Sequence, residues 1–126
     1  MKKVLTVFFV LLLFVCAVGC IRSTGHYRTI LSISNQTSDS FYMKYESFDG
    51  EKKYSFSVKE NAVLDVDFVT ESGKLSCTVT DSDGNEYYKN EDVQTEKISI
   101  SLGKKGRYSV CLRAEEHKGS FDFTIK

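Results

Sequence analysis

From Thr29 to the last residues of the chain, apolar and polar side chains alternate with a period of two, and this pattern limits the fold more than any other feature. Successive side chains on an extended strand point to opposite faces, so each such run has one face for a core and one for water. The first run, Thr29-Ile30-Leu31-Ser32-Ile33, puts Leu31 and Ile33 in the core. Phe41, Met43 and Tyr45 form the next set, with Tyr42, Lys44 and Glu46 facing away. Tyr54, Phe56 and Val58 follow, then Leu64, Val66 and Phe68, then Leu75, Cys77 and Val79. Ile98, Ile100 and Leu102 come next, then Tyr108, Val110 and Leu112, and finally Phe121, Phe123 and Ile125.

Glycines separate these runs. Asp49-Gly50, Ser72-Gly73, Asp83-Gly84, Lys105-Gly106 and Lys118-Gly119 fall where a residue with positive φ turns a hairpin. Eight or nine short strands at this spacing predict an all-β, antiparallel two-sheet sandwich of jelly-roll type over residues 27–126. The chain has no proline, so its edge strands need charge as protection, a role open to Lys44, Glu46, Asp65 and Asp67.

The N-terminus has another character. Lys2 and Lys3 precede an almost wholly apolar run from Val4 to Val15, and the small residues Ala17-Val18-Gly19 stand before Cys20. This is the layout of a helical secretory signal peptide, here residues 1–19. Removing it leaves about 107 residues, a common size for one domain. It also removes Lys2 and Lys3, leaving fifteen basic residues against seventeen acidic, a net charge of −2. No basic stripe remains for a phosphate backbone, so nucleic acid is not an expected partner. No second apolar stretch is long enough to cross a bilayer.

Ala17-Val18-Gly19-Cys20 resembles the lipobox of bacterial lipoproteins. The resemblance implies acylation of Cys20, a tether over residues 20–26, and a domain held on the extracytoplasmic face of a cell membrane. Two or three acyl chains would make that attachment essentially permanent, since one chain alone holds only marginally. Two other readings stay open: cleavage by an ordinary signal peptidase, or an uncut helix from Val4 to Ile21. Further along, Gly73-Lys74-Leu75, Asp81-Ser82-Asp83-Gly84, Gly106-Arg107-Tyr108-Ser109-Val110 and Gly119-Ser120-Phe121 resemble small extracytoplasmic sandwich domains. Uncharacterised lipoproteins and the domains that follow the catalytic part of secreted bacterial peptidases are among them. That likeness implies a fold and no site residue.

Few residues suggest chemistry. Asp81-Ser82-Asp83-Gly84-Asn85 opens like a calcium loop, but the twelfth position is Asp92 instead of a bidentate Glu, so a hairpin turn is expected. Asp65 and Asp67 share a strand face and read as solvated acids. His26 and His117 read as surface histidines, His117 in a last hairpin turn beside Glu115 and Glu116. No metal, cofactor or catalytic residue is expected. Tyr42 and the pair Tyr87-Tyr88 are the candidate ligand surface, because one of two adjacent strand residues points outward and an exposed ring stacks on a sugar or peptide. Cys77 falls inward and Cys111 outward, so a disulfide between them is not expected.

These features point to a non-catalytic binding or accessory lipoprotein whose partner is an envelope protein or glycan. The alternatives are an envelope hydrolase, using Asp65 with Asp67 or the Glu115-Glu116-His117 segment, and a protective lipoprotein that masks a toxin or enzyme.

Overall fold

The computed structural model describes residues 21–126. The signal-peptide reading of residues 1–19 and the assignment of Cys20 lie outside the described residues. Eight antiparallel strands form the domain: β1 (Arg22–Thr24), β2 (Tyr27–Ile30), β3 (Ile33–Gln36), β4 (Ser40–Val58), β5 (Val63–Asp81), β6 (Glu86–Asn90), β7 (Glu96–Ser101) and β8 (Gly106–Ile125). Three of them, β4, β5 and β8, run for 19 or 20 residues, and each fuses two of the short runs expected from the alternation.

Each long strand bends in its middle. The ladder between β4 and β8 shifts register between Tyr45 and Gly50, and the ladder between β5 and β8 shifts between Thr70 and Lys74. These bulges fold one hydrogen-bonded sheet over onto itself. In the first layer the N-terminal half of β4 and the C-terminal half of β8 lie beside the start of β5, flanked by β3 and β7. The other halves form the second layer, flanked by β1 and β6. The result is an antiparallel β-sandwich.

The inward faces meet through aromatic rings. Phe41 of the first layer stacks on Tyr54 of the second at 4.0 Å between centroids, and on Phe123 of its own layer at 4.6 Å. Phe56, Phe68, Phe121 and Tyr108 complete a core in which every one of these rings is buried. Val93, in the connection from β6 to β7, is also buried, and its N–H donates to the Leu75 carbonyl at 2.8 Å.

Three glycines expected in hairpin turns lie inside the long strands instead. Gly73 has φ 77° and Gly119 φ 152°, and a Cβ on either would overlap a backbone carbonyl of the strand crossing it, that of Glu116 or Val69. Gly50 packs in the same way against the His26 carbonyl. The glycines therefore allow strands to bend and cross closely, which a sequence pattern does not distinguish from chain reversal. Asp83-Gly84 does turn a hairpin, between β5 and β6.

Two further expectations fail. Leu31 and Ile33 are 80% and 68% exposed, because they sit on the edge strand where it passes the bulge of β4. Lys44, Glu46, Asp65 and Asp67 do not guard edges, since β4 and β5 are paired along both sides. Part of the segment read as a tether, Arg22–Thr24, pairs with β4 as β1.

Candidate binding face

The outward face of the second layer carries a hollow lined by charged side chains. Its volume is about 560 Å³, and its lining includes His26, Glu51, Lys74, Glu91, Arg113 and Glu115. A smaller hollow of about 350 Å³ continues it past Thr78, Lys89 and Cys111, sharing Ser76, Glu91 and Arg113. Three strands supply these groups because outward positions on neighbouring strands come into register: Arg113 of β8 stands between Glu51 of β4 and Ser76 of β5.

Glu51 organises the floor. It accepts from Arg113 Nε at 3.2 Å and from the Cys111 thiol at 3.4 Å. The Arg113–Glu51 pair is largely exposed, and such pairs contribute at most about 1 kcal/mol to stability. It uses one of the five N–H donors a guanidinium carries. Lys74 lies directly across from Glu115, and Lys89 pairs with Glu91 at 3.7 Å. The hollow thus alternates cation and anion, which suits a polar protein surface better than an apolar or a uniformly charged ligand. Burial, and then the Glu51 carboxylate, raise the Cys111 thiol above its usual range, so it stays protonated and a poor nucleophile.

The residues singled out from the sequence do not converge on this hollow. Tyr42 is half-buried on the outward face of the first layer, paired with Asn35 and Asp122. Tyr87 and Tyr88 both pack against the core, because the β5–β6 ladder slips between Val79 and Thr80 and turns two consecutive residues the same way. The Tyr87 hydroxyl donates to Asp81 at 3.1 Å, and its ring meets that of Tyr108 edge-on. Cys77 is buried in the core with its thiol raised by burial, while Cys111 lies half-buried on the outward face; both are free thiols.

The acid and histidine candidates have structural partners. Asp65 accepts from Ser99 at 2.6 Å and pairs with Lys126 at 2.8 Å, which holds its carboxyl below the usual range. Asp67 faces Lys97 at 3.9 Å. The Asp81 carboxylate receives the N–H groups of Asp83 and Asn85, the Asn85 side chain and the Tyr87 hydroxyl, which closes the turn and lowers its pKa. Among the described residues no His, Cys, Asp and Glu side chains cluster as metal ligands.

His117 is not a surface turn residue. It is fully buried inside β8, where the three long strands cross, and is far from acting with the exposed Glu115 and Glu116. The Thr70 hydroxyl donates to the Val93 carbonyl at 2.8 Å and so accepts from His117 Nε2 at 2.9 Å. Nδ1 then accepts from the Tyr45 hydroxyl at 2.6 Å. The ring is neutral, with its proton on Nε2, and links β4, β5 and β8 through one chain of bonds. Burial lowers its pKa from 6.5 to about 4.

Below pH 6.5 the unfolded chain binds a proton at this position that the folded chain refuses until about pH 4. Stability is therefore full above pH 6.5 and falls on acidification, by about 3 kcal/mol at pH 4 from this group. Urea unfolding at pH 7 and pH 4.5 measures the loss. His117→Gln is expected to be less stable at pH 7 and to show a shallower fall.

The fold is an antiparallel β-sandwich with a mixed-charge hollow on one outward face. Residues 32–126 match the sequence model of the emp24/gp25L/p24 family/GOLD, and the chain belongs to that family. It is 29% identical over 105 residues to the transmembrane emp24 domain-containing protein p24delta9 of Arabidopsis thaliana, covering 75% of this chain. The chain spans about half (49%) of that relative's length. Two solved structures are similar over most of the domain. One is the pre-peptidase C-terminal domain of Bacillus anthracis collagenase (12% identity, 86% of this chain and 89% of that one, TM-score 0.46). The other is TmCBM61 in complex with β-1,4-galactotriose (18% identity, 84% and 83%, TM-score 0.46). At TM-scores this low neither bears on what this chain binds.

The family match overturns the bacterial lipoprotein reading, and with it the lipid anchor, the envelope protein or glycan as partner, the cell-membrane location, and the hydrolase and protective alternatives. The leader misled for a physical reason. A basic start, an apolar run and small residues suit export machineries and peptidases of many kinds, so the pattern by itself does not fix a compartment.

Proposed function

We propose that residues 21–126 form the non-enzymatic recognition domain of a secretory-pathway cargo receptor, facing the lumen and binding proteins in transit. The observation that carries this reading is the family match over 32–126. The mixed-charge hollow on the second layer supports it, since exposed, alternating charges give specificity and encounter rate without a catalytic group. The relative's name describes a transmembrane protein; among the described residues here, no helix is long and apolar enough to cross a membrane.

The test is capture of soluble secretory proteins with the tagged full chain from detergent-solubilised transport vesicles. Recovery is expected to fall at least about fivefold in the double variant Lys74→Glu, Arg113→Glu, with the domain still folded by circular dichroism although its new carboxylates face Glu115 and Glu51, because truncating or reversing charges at an interface costs roughly 1 kcal/mol or more. Equal recovery with both proteins removes the hollow as the site. Absence of the chain from such vesicles removes the cargo reading itself.

A further inference from the structure

The first strands of the domain are one interrupted edge strand. β1, β2 and β3 all pair with β4 in a single continuous register, from Arg22 opposite Ser55 to Gln36 opposite Phe41. This edge strand must follow β4 around the fold of the sandwich, from the first layer at β3 to the second at β1. It is interrupted at Gly25-His26 and at Leu31-Ser32. At the second interruption Leu31 holds φ 49°, in the left-handed region that an L side chain occupies at a cost.

The segment beyond that bend is loosely held. From Arg22 to Ile30 every residue is exposed except the half-buried Thr29. Besides its backbone ladder to β4, which includes the Glu51 N–H bond to the His26 carbonyl, its anchors are few: Ile21, which is buried and whose carbonyl accepts from the Gln36 side-chain amide, the Tyr27 ring against Phe48 at 5.8 Å, and the Tyr27 hydroxyl, which accepts from Lys52 at 3.0 Å. The family match begins at residue 32, one residue past the bend. Around the bend, Ile30, Leu31 and Ile33 are 56%, 80% and 68% exposed, an apolar cluster without cover.

We propose that the β1–β2 arm exchanges between two copies of this chain, pivoting at Leu31. In the exchanged dimer Leu31 becomes extended, β2 and β3 form one straight strand, and each arm takes the same place on the partner's β4. Every bond the arm makes in one copy is remade between copies, including that from Lys52 to the Tyr27 hydroxyl. Three gains favour the exchange. The left-handed strain at Leu31 is released, the straight strand avoids the bend, and the two pivots lie side by side and bury Ile30, Leu31 and Ile33 against each other. This is why the occupant is a second copy: only an identical arm fits the vacated edge with the same register and the same Tyr27 contact.

The test uses the full chain carrying Arg22→Cys and Ser55→Cys, which stand opposite each other, with Cys111→Ser to remove the nearby thiol. Equal amounts of ordinary and ¹⁵N-labelled protein are unfolded, refolded together, separated by size and oxidised. In the dimer, about half of the peptides linked through positions 22 and 55 are expected to join one light and one heavy partner. Deleting residues 21–31 should leave monomer only. Leu31→Gly removes the strain from the closed form and should weaken dimerisation about a hundredfold, roughly tenfold for each pivot. Monomer at every concentration, a dimer whose linked peptides are all of one isotope, or a dimer that survives deletion of the arm each overturns the proposal.

Discussion

Gly119→Ala is expected to leave the domain largely unfolded at room temperature. Gly119 lies in β8 opposite both Tyr45 and Thr70, at the crossing of the three long strands. Its φ of 152° is one that L side chains rarely adopt, and an added Cβ would overlap the Val69 carbonyl oxygen and press on the His117 ring. The carbonyl is backbone and cannot rotate away, so β5 and β8 would have to part. That separates the hydroxyl of Thr70 from His117 and opens the buried bond chain that joins the strands. The loss is expected at about 4–5 kcal/mol or more, comparable to the whole stability of many domains. Gly84→Ala is the control. Gly84 has φ 86° but nothing within 4 Å of the added carbon, so only the local backbone cost of about 1–2 kcal/mol applies. Circular dichroism and urea unfolding of the two variants separate crossing sterics from backbone conformation. Similar, small losses in both would show that the strands at Gly119 can yield.

The same crossing marks where the sequence stops being legible. The alternation identified the inward face of β4, β5 and β8 correctly on both sides of each bend: Phe41, Phe56, Phe68, Leu75, Val110 and Phe123 are all buried. What it did not reveal is that runs separated by Gly50, Gly73 and Gly119 are halves of one strand. A glycine at positive φ serves a hairpin and a strand crossing equally well, and only the position of the neighbouring strand decides between them. His117 was within reach, because the inward positions Phe123, Phe121 and Gly119 extend by the same period to residue 117. Lys52 was too, continuing Val58, Phe56 and Tyr54. For His117 residue chemistry outweighed the period, since a histidine that follows two glutamates reads as surface. The charged hollow had no local signature. Glu51, Lys74 and Arg113 come from three strands, and their meeting depends on a register that no short pattern encodes.

Phe123→Ala is expected to cost about 3–5 kcal/mol, the second large effect, and it tests the register of the last strand. Phe123 is fully buried, stacked on Phe41 at 4.6 Å and meeting Phe68 edge-on at 5.6 Å. Its truncation removes the transfer free energy of a ring and leaves a cavity between β4 and β5 that rigid strands fill poorly. Phe41 would also lose one of its two stacking partners while Tyr54, at 4.0 Å, kept the other. The neighbouring Asp122 points to solvent and stands directly opposite Asp67 across the β5–β8 ladder. Like charges opposite each other on a sheet are mildly unfavourable, so Asp122→Ala is expected to be neutral or to stabilise by a few tenths of a kcal/mol. The two substitutions are adjacent in sequence and opposite in outcome because the side-chain period of a strand is two. Chemical denaturation of both variants at pH 7 reads the difference. If Asp122→Ala proved the damaging change, β8 would be displaced by one residue, and Phe121, Gly119 and His117 would leave the interior with it.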